Sequence, residues 1–219
     1  MSTRILLSYD HAILRQGLRS LVEGEPGLEV VGEAGNGRAA VALAGELRPD
    51  VVVMDVAMPD LNGMDATRQI TSRMPGVRVI GLSIYGDRRR VAEMFQAGAS
   101  GYLIKDQAFE ELAVAIRAVA AGKVYLSPAV AGEVVGDYVH GRGAADAAAR
   151  PGVRLTPREQ EVLQLMAGGK ATKQVAMILH VSIKTVETHR RLLMEKLVLH
   201  SVAELTKYAI REGLTTVEV

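Results

Sequence analysis

Four polar side chains in the N-terminal half of the chain directly follow apolar runs. Asp10, Asp55, Ser83 and Lys105 each come after a short stretch rich in Val, Ile and Leu. If those stretches are parallel strands, their carboxyl ends meet at one edge of a sheet, where open α/β sheets bind ligands. Two carboxylates suit a small hard cation such as Mg²⁺. The pattern predicts a site where a carboxylate accepts a phosphoryl group; the plainer alternative is a set of ordinary turn residues.

The elements that must position these side chains follow a repeating strand and helix pattern. Strands are predicted at residues 4–8, 28–34, 51–55, 77–83 and 101–104. Helices are predicted at residues 11–22, 37–46, 65–73, 88–97 and 109–121. Because crossovers between parallel strands are right-handed, the repeat indicates an α/β, flavodoxin-like doubly wound domain with five parallel strands.

The pattern changes after the fifth repeat. Residues 125–153 include one predicted helix at 129–138 and then a stretch dense in Gly and Ala, which is typical of a linker. From Leu155 onward the pattern is purely helical. We therefore predict three parts: a phosphoryl-accepting domain at 1–124, a partly helical linker at 125–153, and an all-α four-helix domain at 154–219.

The C-terminal domain contains the signature of a helix-turn-helix. Thr156 and Glu159 have the spacing of a capping box, and Ser201 and Glu204 repeat it at the last helix. Between them, helices at 172–179 and 184–197 are joined by the short turn His180-Val181-Ser182, in which Ser182 is the predicted N-cap of the second helix. A turn this short between two helices is typical of DNA-binding helix-turn-helix units.

The second helix of this pair has one polar face. Lys184, Glu187, Thr188 and Arg191 lie at positions i, i+3, i+4 and i+7. Arginine suits guanine, threonine the thymine methyl group and glutamate the cytosine amine, so the face could recognise bases in a major groove. Three further basic residues are expected at phosphates: Lys170, Lys173 and Arg190. On spacing alone, a solvated face of a helical bundle is the alternative.

Charge and composition narrow the function classes. Residues 154–219 carry ten Lys and Arg against seven Asp and Glu, or +3, whereas residues 1–126 carry fourteen against fifteen, or −1. Only the C-terminal part therefore has a net positive charge that would favour binding to a polyanion. The absence of cysteine excludes disulfides, thiolate metal sites and thiol nucleophiles. The chain begins directly in a strand and contains no apolar run of about 18 residues, so we expect a cytoplasmic protein with no membrane partner.

The N-terminal domain resembles the receiver domains of bacterial response regulators. The matching stretches are residues 51–63 (VVVMDVAMPDLNG), 81–83 (GLS) and 98–106 (GASGYLIKD). The resemblance implies that Asp55 is the phosphorylation site and that Mg²⁺ is held by Asp10, Asp55 and the backbone carbonyl of Ala57. It further implies a switch and phosphate-binding set consisting of Ser83, Tyr102 and Lys105.

One residue departs from the receiver pattern. The family usually has two acidic residues after the first strand, and the first of them is Tyr9 here. We expect the lost negative charge to weaken Mg²⁺ binding. Two hypotheses follow: a regulator switched by phosphorylation, or an atypical regulator with a degenerate acidic pocket whose DNA binding is independent of phosphorylation.

The C-terminal domain resembles the LuxR-type domain of the NarL/FixJ subfamily. The matches are residues 155–159 (LTPRE), 169–170 (GK) and above all Lys184-Thr185-Val186-Glu187-Thr188-His189. The resemblance implies that residues 186–197, with Thr185 beside them, enter the major groove and that residues 201–212 make dimer contacts.

Together the two resemblances imply a two-component response regulator that binds DNA and regulates transcription. Its expected partners are double-stranded DNA, a sensor histidine kinase or small phosphodonor, and a second copy of the chain when active. An enzyme is not expected. A third hypothesis, an α/β enzyme or nucleotide-binding protein with a helical appendage, is weakened because residues 32–37 do not have the GxGxxG spacing.

Overall fold

The structure is a computed structural model that describes residues 2–84, 86, 88–132, 155–197, 199, 201–211 and 214–215. The chain divides into two compact units, one containing residues 1–56 and 63–150 and the other containing residues 57–62 and 151–219. No helix within the described ranges is long and apolar enough to span a membrane.

The first unit is built on a parallel sheet of six strands in the order β2-β1-β3-β4-β5-β6. Its strands are β1 (Thr3–Ser8), β2 (Leu28–Ala34), β3 (Val51–Asp55), β4 (Arg78–Ser83), β5 (Gly101–Ile104) and β6 (Tyr125–Leu126). Its helices are α1 (Ala12–Glu23), α2 (Gly37–Leu47), α3 (Gly63–Arg73), α4 (Arg88–Gln96) and α5 (Ala108–Ala120).

Both faces of this sheet are covered, which explains why its strands have continuous apolar runs rather than an alternating pattern. One face packs on α1 and α5 in a single core that includes Ile5, Val53 and Leu112. Side chains alternate between the faces along a strand. On the opposite face α2 packs on α3 and α3 on α4, and Gly81 of β4 lies directly beneath Met94 of α4.

The predicted flavodoxin-like fold is confirmed, with one correction. The sheet has six strands rather than five, because Tyr125–Leu126 pairs in parallel with β5. These two residues fall in the predicted linker, so the sheet domain extends past residue 124. Residues 128–132 are helical, while the rest of the predicted linker helix, residues 133–138, lies outside the described residues.

Within its described residues, the second unit contains the helices α6 (Pro157–Ala167), α7 (Thr172–Ile178), α8 (Ile183–Leu197) and α9 (Val202–Arg211). The four helices share one core, to which Val162, Val175, Val186, Leu193 and Leu205 contribute. Both predicted capping boxes are present. The Glu159 amide donates to Thr156 Oγ1 and the Glu204 amide donates to Ser201 Oγ, while each glutamate accepts from the amide of its cap residue.

Gly63, the first residue of α3, lies against the end of β3 so closely that no side chain fits. A Cβ atom there would be 2.0 Å from the Asp55 carbonyl oxygen, and the Gly63 amide already donates to the Val56 carbonyl at 2.9 Å. Gly63→Ala should therefore destabilise the chain by about 3 kcal/mol, the upper end of overpacking costs, because backbone atoms would have to move. Urea unfolding of the full chain measures this change.

Gly45→Ala is the matched control, since no described atom lies within 4 Å of a Cβ at this position inside α2. It should stabilise the chain by about 0.5–1 kcal/mol through helix propensity. Equal unfolding midpoints for the two variants would contradict this account of Gly63.

Candidate functional site

Asp55 is a carboxylate with no solvent exposure at the carboxyl end of β3. A buried charge is tolerated only when it is paired, and its partner is Lys105, whose Nζ lies 2.7 Å from Asp55 Oδ2. Lys105 directly follows β5, and β3 and β5 are the two neighbours of β4 in the sheet. The parallel topology therefore brings together two residues that are fifty positions apart in the sequence.

The surroundings of Lys105 favour its charged form. Burial alone would lower the pKa of Lys105, but the charge and hydrogen bond of Asp55, with a smaller contribution from Tyr9, outweigh this effect and raise the pKa. Lys105 is therefore an ammonium at neutral pH. Asp55 thus has a charged counter-ion within the first unit.

Tyr9 contacts the same ammonium. It directly follows β1, is only 6% exposed, and its ring centroid lies 4.3 Å from Lys105 Nζ. This is a cation–π contact, worth about 0.5–2 kcal/mol depending on how far the charge is desolvated. Burial raises the pKa of the Tyr9 phenol, so Tyr9 is neutral wherever the protein works near neutral pH.

Asp10 lies at the more exposed rim of the site. Its Oδ1 accepts a hydrogen bond from the His11 amide at 2.9 Å and lies 2.6 Å from His11 Nδ1. Its side chain is 14% exposed, compared with none for Asp55. The two acidic residues therefore differ in environment: Asp55 is paired with a lysine inside the fold, and Asp10 is bound to its own neighbour.

Ser83 and Tyr102, the predicted switch residues, lie on two neighbouring strands and are almost completely buried. Gly81 of β4 is paired in register with Tyr102 of β5, and Ser83 is two residues further along β4. Because alternate residues of a strand share a face, both side chains lie on the face that carries α4. A change at the end of β4 can therefore reach the packing of that helix.

The residues predicted to hold Mg²⁺ carry the kind of oxygen donors that this ion prefers. Asp10 and Asp55 supply carboxylates, and Ala57 follows two residues after Asp55; Mg²⁺ favours such oxygen ligands and keeps several waters. Among the described residues, no group of three or more His, Cys, Asp or Glu side chains could hold a metal. The donor set therefore suits Mg²⁺ in chemistry but contains only two acidic side chains.

The second unit presents the predicted polar face of α8. Lys184, Glu187, Thr188 and Arg191 are exposed, whereas Val186 and Leu193 on the other side of the helix have no exposure. The Thr185 amide donates to Ser182 Oγ at 3.1 Å, which caps the helix as expected. Of the other residues predicted to meet DNA, two are exposed, Lys170 and Lys173, and two are partly buried, Thr185 and Arg190.

Two contacts orient side chains on this face. Thr188 Oγ1 donates to the Lys184 carbonyl at 2.9 Å, which uses its hydroxyl and leaves its methyl group for an outside contact. Arg191 Nη1 lies 2.8 Å from Glu195 Oε1 in an exposed ion pair. Exposed pairs of this kind are weak, so Arg191 can exchange Glu195 for another partner.

Sequence reasoning missed two contacts of the acidic site. It treated Tyr9 as a lost acid and did not connect the ring to Lys105, and it gave His11 no role beside Asp10. No local pattern signals the first contact, because Tyr9 and Lys105 are on different strands. The second could have been found from the adjacency of Asp10 and His11.

A doubly wound sheet joined to a helix-turn-helix unit is the architecture of a two-domain, DNA-binding regulator. Comparison with known proteins supports this assignment. Residues 5–117 match the response regulator receiver domain, and residues 153–209 match the bacterial regulatory proteins of the luxR family. The chain is 38% identical over 211 residues to the transcriptional regulatory protein LiaR of Bacillus subtilis (strain 168), covering 96% of this chain and 98% of LiaR.

Two further likenesses support the same assignment. The oxygen regulatory protein NreC of Staphylococcus carnosus (strain TM300) is 34% identical over 213 residues, covering 96% of this chain and 98% of NreC. The crystal structure of a LuxR-family two-component response regulator from Aurantimonas sp. SI85-9A1 is 38% identical, covers 64% of this chain and 99% of its own, and has a TM-score of 0.61. The chain belongs to the NarL/FixJ subfamily of bacterial response regulators.

The α6 capping box is also electrostatically tied to α8. Glu159 Oε2 lies 2.8 Å from Lys196 Nζ. Burial would raise the pKa of Glu159, but its hydrogen bonds to Lys196 and Thr156 outweigh this effect and lower the pKa from 4.5. The stabilisation is therefore fully present above pH 4.5 and is lost as the pH falls below it towards the folded-state pKa.

Glu159→Gln should lower the stability of the second unit by about 2 kcal/mol at neutral pH, the scale of a hydrogen bond to a charged group, and should weaken its loss of stability in acid. Urea unfolding followed by hydrogen exchange of α6 to α9 peptides in the full chain measures both effects. Glu195→Gln, in an exposed pair with Arg191, is the control and should change little. An unchanged acid profile for Glu159→Gln would contradict the assignment.

Proposed function

We propose that this response regulator is phosphorylated on Asp55 in a Mg²⁺-dependent reaction and that the phosphoryl group controls dimerisation and DNA binding. The observation that carries the proposal is the fully buried Asp55 carboxylate at the sheet edge, with the Lys105 ammonium 2.7 Å away. An isolated carboxylate in such a position would be protonated or absent. A lysine beside it keeps it ionised and ready to act as a nucleophile.

The chemistry follows from these groups. An Asp55 carboxylate oxygen attacks the phosphorus of a phosphodonor, an acyl phosphate bond forms, and the donor's leaving group departs with the electron pair of the broken bond. Asp10, Asp55 and the Ala57 carbonyl would hold Mg²⁺, which when bound neutralises charge on the incoming phosphoryl group. Lys105 would then exchange its carboxylate partner for a phosphoryl oxygen. The chain promotes this transfer but turns over no separate substrate.

The conformational output would begin at Ser83 and Tyr102. Both are on the sheet face that carries α4, so a hydroxyl drawn towards a phosphoryl oxygen would leave its present packing and allow Tyr102 to reorient. Such a response is a two-state switch biased by charge. The face formed by β4 and α4 would transmit it, either by releasing the DNA-binding unit or by creating a dimer surface.

The expected partners follow from the second unit and from the family. Double-stranded DNA would meet the exposed face of α8, with Arg191, Thr188 and Glu187 at bases. Phosphates would be contacted by Lys170, Lys173 and Arg190. A sensor histidine kinase or a small phosphodonor would supply the phosphoryl group, and two copies would place two recognition helices about one DNA turn apart. The names of LiaR and NreC describe regulatory proteins, which supports a regulatory role for this chain, and we propose that it acts in the cytoplasm.

The proposed domain boundaries need one adjustment. We propose a receiver at residues 1–126 rather than 1–124, because β6 completes its sheet. The linker then runs from residue 127 to 153, and the LuxR-type domain occupies residues 154–219.

Intact-mass analysis after incubation with acetyl phosphate and Mg²⁺ tests the phosphorylation site. The wild-type chain should gain a single phosphoryl adduct, and Asp55→Asn, which keeps the shape of the side chain but lacks the nucleophilic oxygen, should gain none. Asp10→Asn is the second variant and should slow the reaction without abolishing the adduct on Asp55. An equal adduct on Asp55→Asn, or none on the wild type, would overturn the proposal.

A further inference from the structure

We propose that Tyr9 is a positioning residue that holds Lys105 on Asp55, so that the phosphoacceptor carries a built-in counter-ion and Mg²⁺ binds weakly to the resting site. The inference rests on the proposed phosphorylation of Asp55 and adds to it how the unphosphorylated site is kept neutral. It concerns one residue at which this chain differs from the usual receiver pattern.

Two side chains contact the Lys105 ammonium. Its Nζ lies 2.7 Å from Asp55 Oδ2 and 4.3 Å from the centroid of the Tyr9 ring, and the Tyr9 phenol also hydrogen-bonds Lys105. A lysine has a long, flexible side chain whose ordering is costly, and contacts with two fixed neighbours restrict it to the position in which it pairs with Asp55. Replacing either contact with water would release it.

Tyr9 itself is firmly held. Its amide donates to the Ala34 carbonyl at 3.0 Å, and its carbonyl accepts from Arg15 Nη1 at 2.5 Å. The ring is only 6% exposed. Because both the backbone and the ring are fixed, the aromatic face is a stable platform for Lys105 rather than a side chain that moves with it.

The charge balance explains the effect on the metal. With a neutral Tyr9, the site holds two carboxylates, Asp10 and Asp55, and one ammonium, Lys105, which leaves a net charge of −1. An acidic residue at position 9 would make the net charge −2. A divalent cation would therefore gain an additional attraction, and Lys105 would no longer be held towards Asp55 by an aromatic face.

Chemical labelling of Lys105 tests the positioning directly. A cavity of about 320 Å³ bordered by Tyr9, Leu14, Lys105 and Phe109 gives small reagents access to the lysine. We expect acetylation by sulfo-NHS-acetate, followed by peptide mass spectrometry of the full chain, to be slow at Lys105. Tyr9→Phe keeps the ring but loses the phenol that hydrogen-bonds Lys105, so its labelling rate should lie between those of the wild type and Tyr9→Leu. Tyr9→Leu loses both contacts and should be labelled about fivefold faster than the wild type. The exposed Lys170 is the internal reference.

Calorimetric titration with Mg²⁺ tests the consequence for the metal. Tyr9→Asp should bind Mg²⁺ at least about tenfold more tightly than the wild type, the scale of effects for groups surrounding metal ligands, and Tyr9→Phe should match the wild type. Thermal unfolding confirms that each variant is folded. Equal labelling of Lys105 in Tyr9→Leu and Tyr9→Phe, or equal Mg²⁺ affinity in Tyr9→Asp and the wild type, would overturn the inference.

The positioning role of Tyr9 and the phosphorylation of Asp55 can fail independently of each other. If Tyr9 has no effect on Lys105 but acetyl phosphate still modifies Asp55, only the positioning role is wrong. If the labelling and Mg²⁺ results are as expected but no variant, including Tyr9→Asp, gains a phosphoryl adduct, the positioning role stands and phosphorylation of Asp55 is wrong.

Discussion

The ion pair between Asp55 and Lys105 is the interaction on which the rest of the first unit depends. A carboxylate with no exposure is costly to bury, and breaking such a pair by removing one partner costs about 3–5 kcal/mol. The sheet order places β3 and β5 on either side of β4, so that the two charges meet at its edge. The absence of a side chain at Gly63 lets α3 begin directly against the backbone of Asp55 at the end of β3. The fold thus stabilises a buried carboxylate by pairing it with an ammonium.

The second unit holds one helix, α8, whose polar face is exposed to solvent. Its core buries Val186 and Leu193 on the inner side of α8. The Ser182 cap holds the start of α8, and the ion pair between Glu159 and Lys196 holds its end. The exposed face needs no internal partner and can be used for a polyanion. A regulator of this kind therefore combines a receiver whose charges are paired inside with a DNA-binding surface whose charges remain outside.

Much of this could be predicted from the sequence because the responsible signals are local. Buried parallel strands such as Val51–Asp55 are continuous apolar runs, and the boxes at Thr156 and Ser201 need only four residues. The two-residue β6 was missed because it is too short to show any periodicity, and only its pairing with β5 defines it. The contact between Tyr9 and Lys105 was missed because it depends on the three-dimensional meeting of β1 and β5 ends, which no spacing in the sequence records.

The central claim is that phosphorylation of Asp55 controls DNA binding, while helix α8 determines which DNA sequence is bound. The most direct test of this claim is the affinity of the full chain for a DNA duplex selected from a random library. The affinity is measured at one salt concentration with and without acetyl phosphate and Mg²⁺. The Asp55→Asn variant is measured under the same conditions. The account predicts tighter binding by the phosphorylated wild type and no response in Asp55→Asn. Identical affinities for the phosphorylated and unphosphorylated wild type would contradict it.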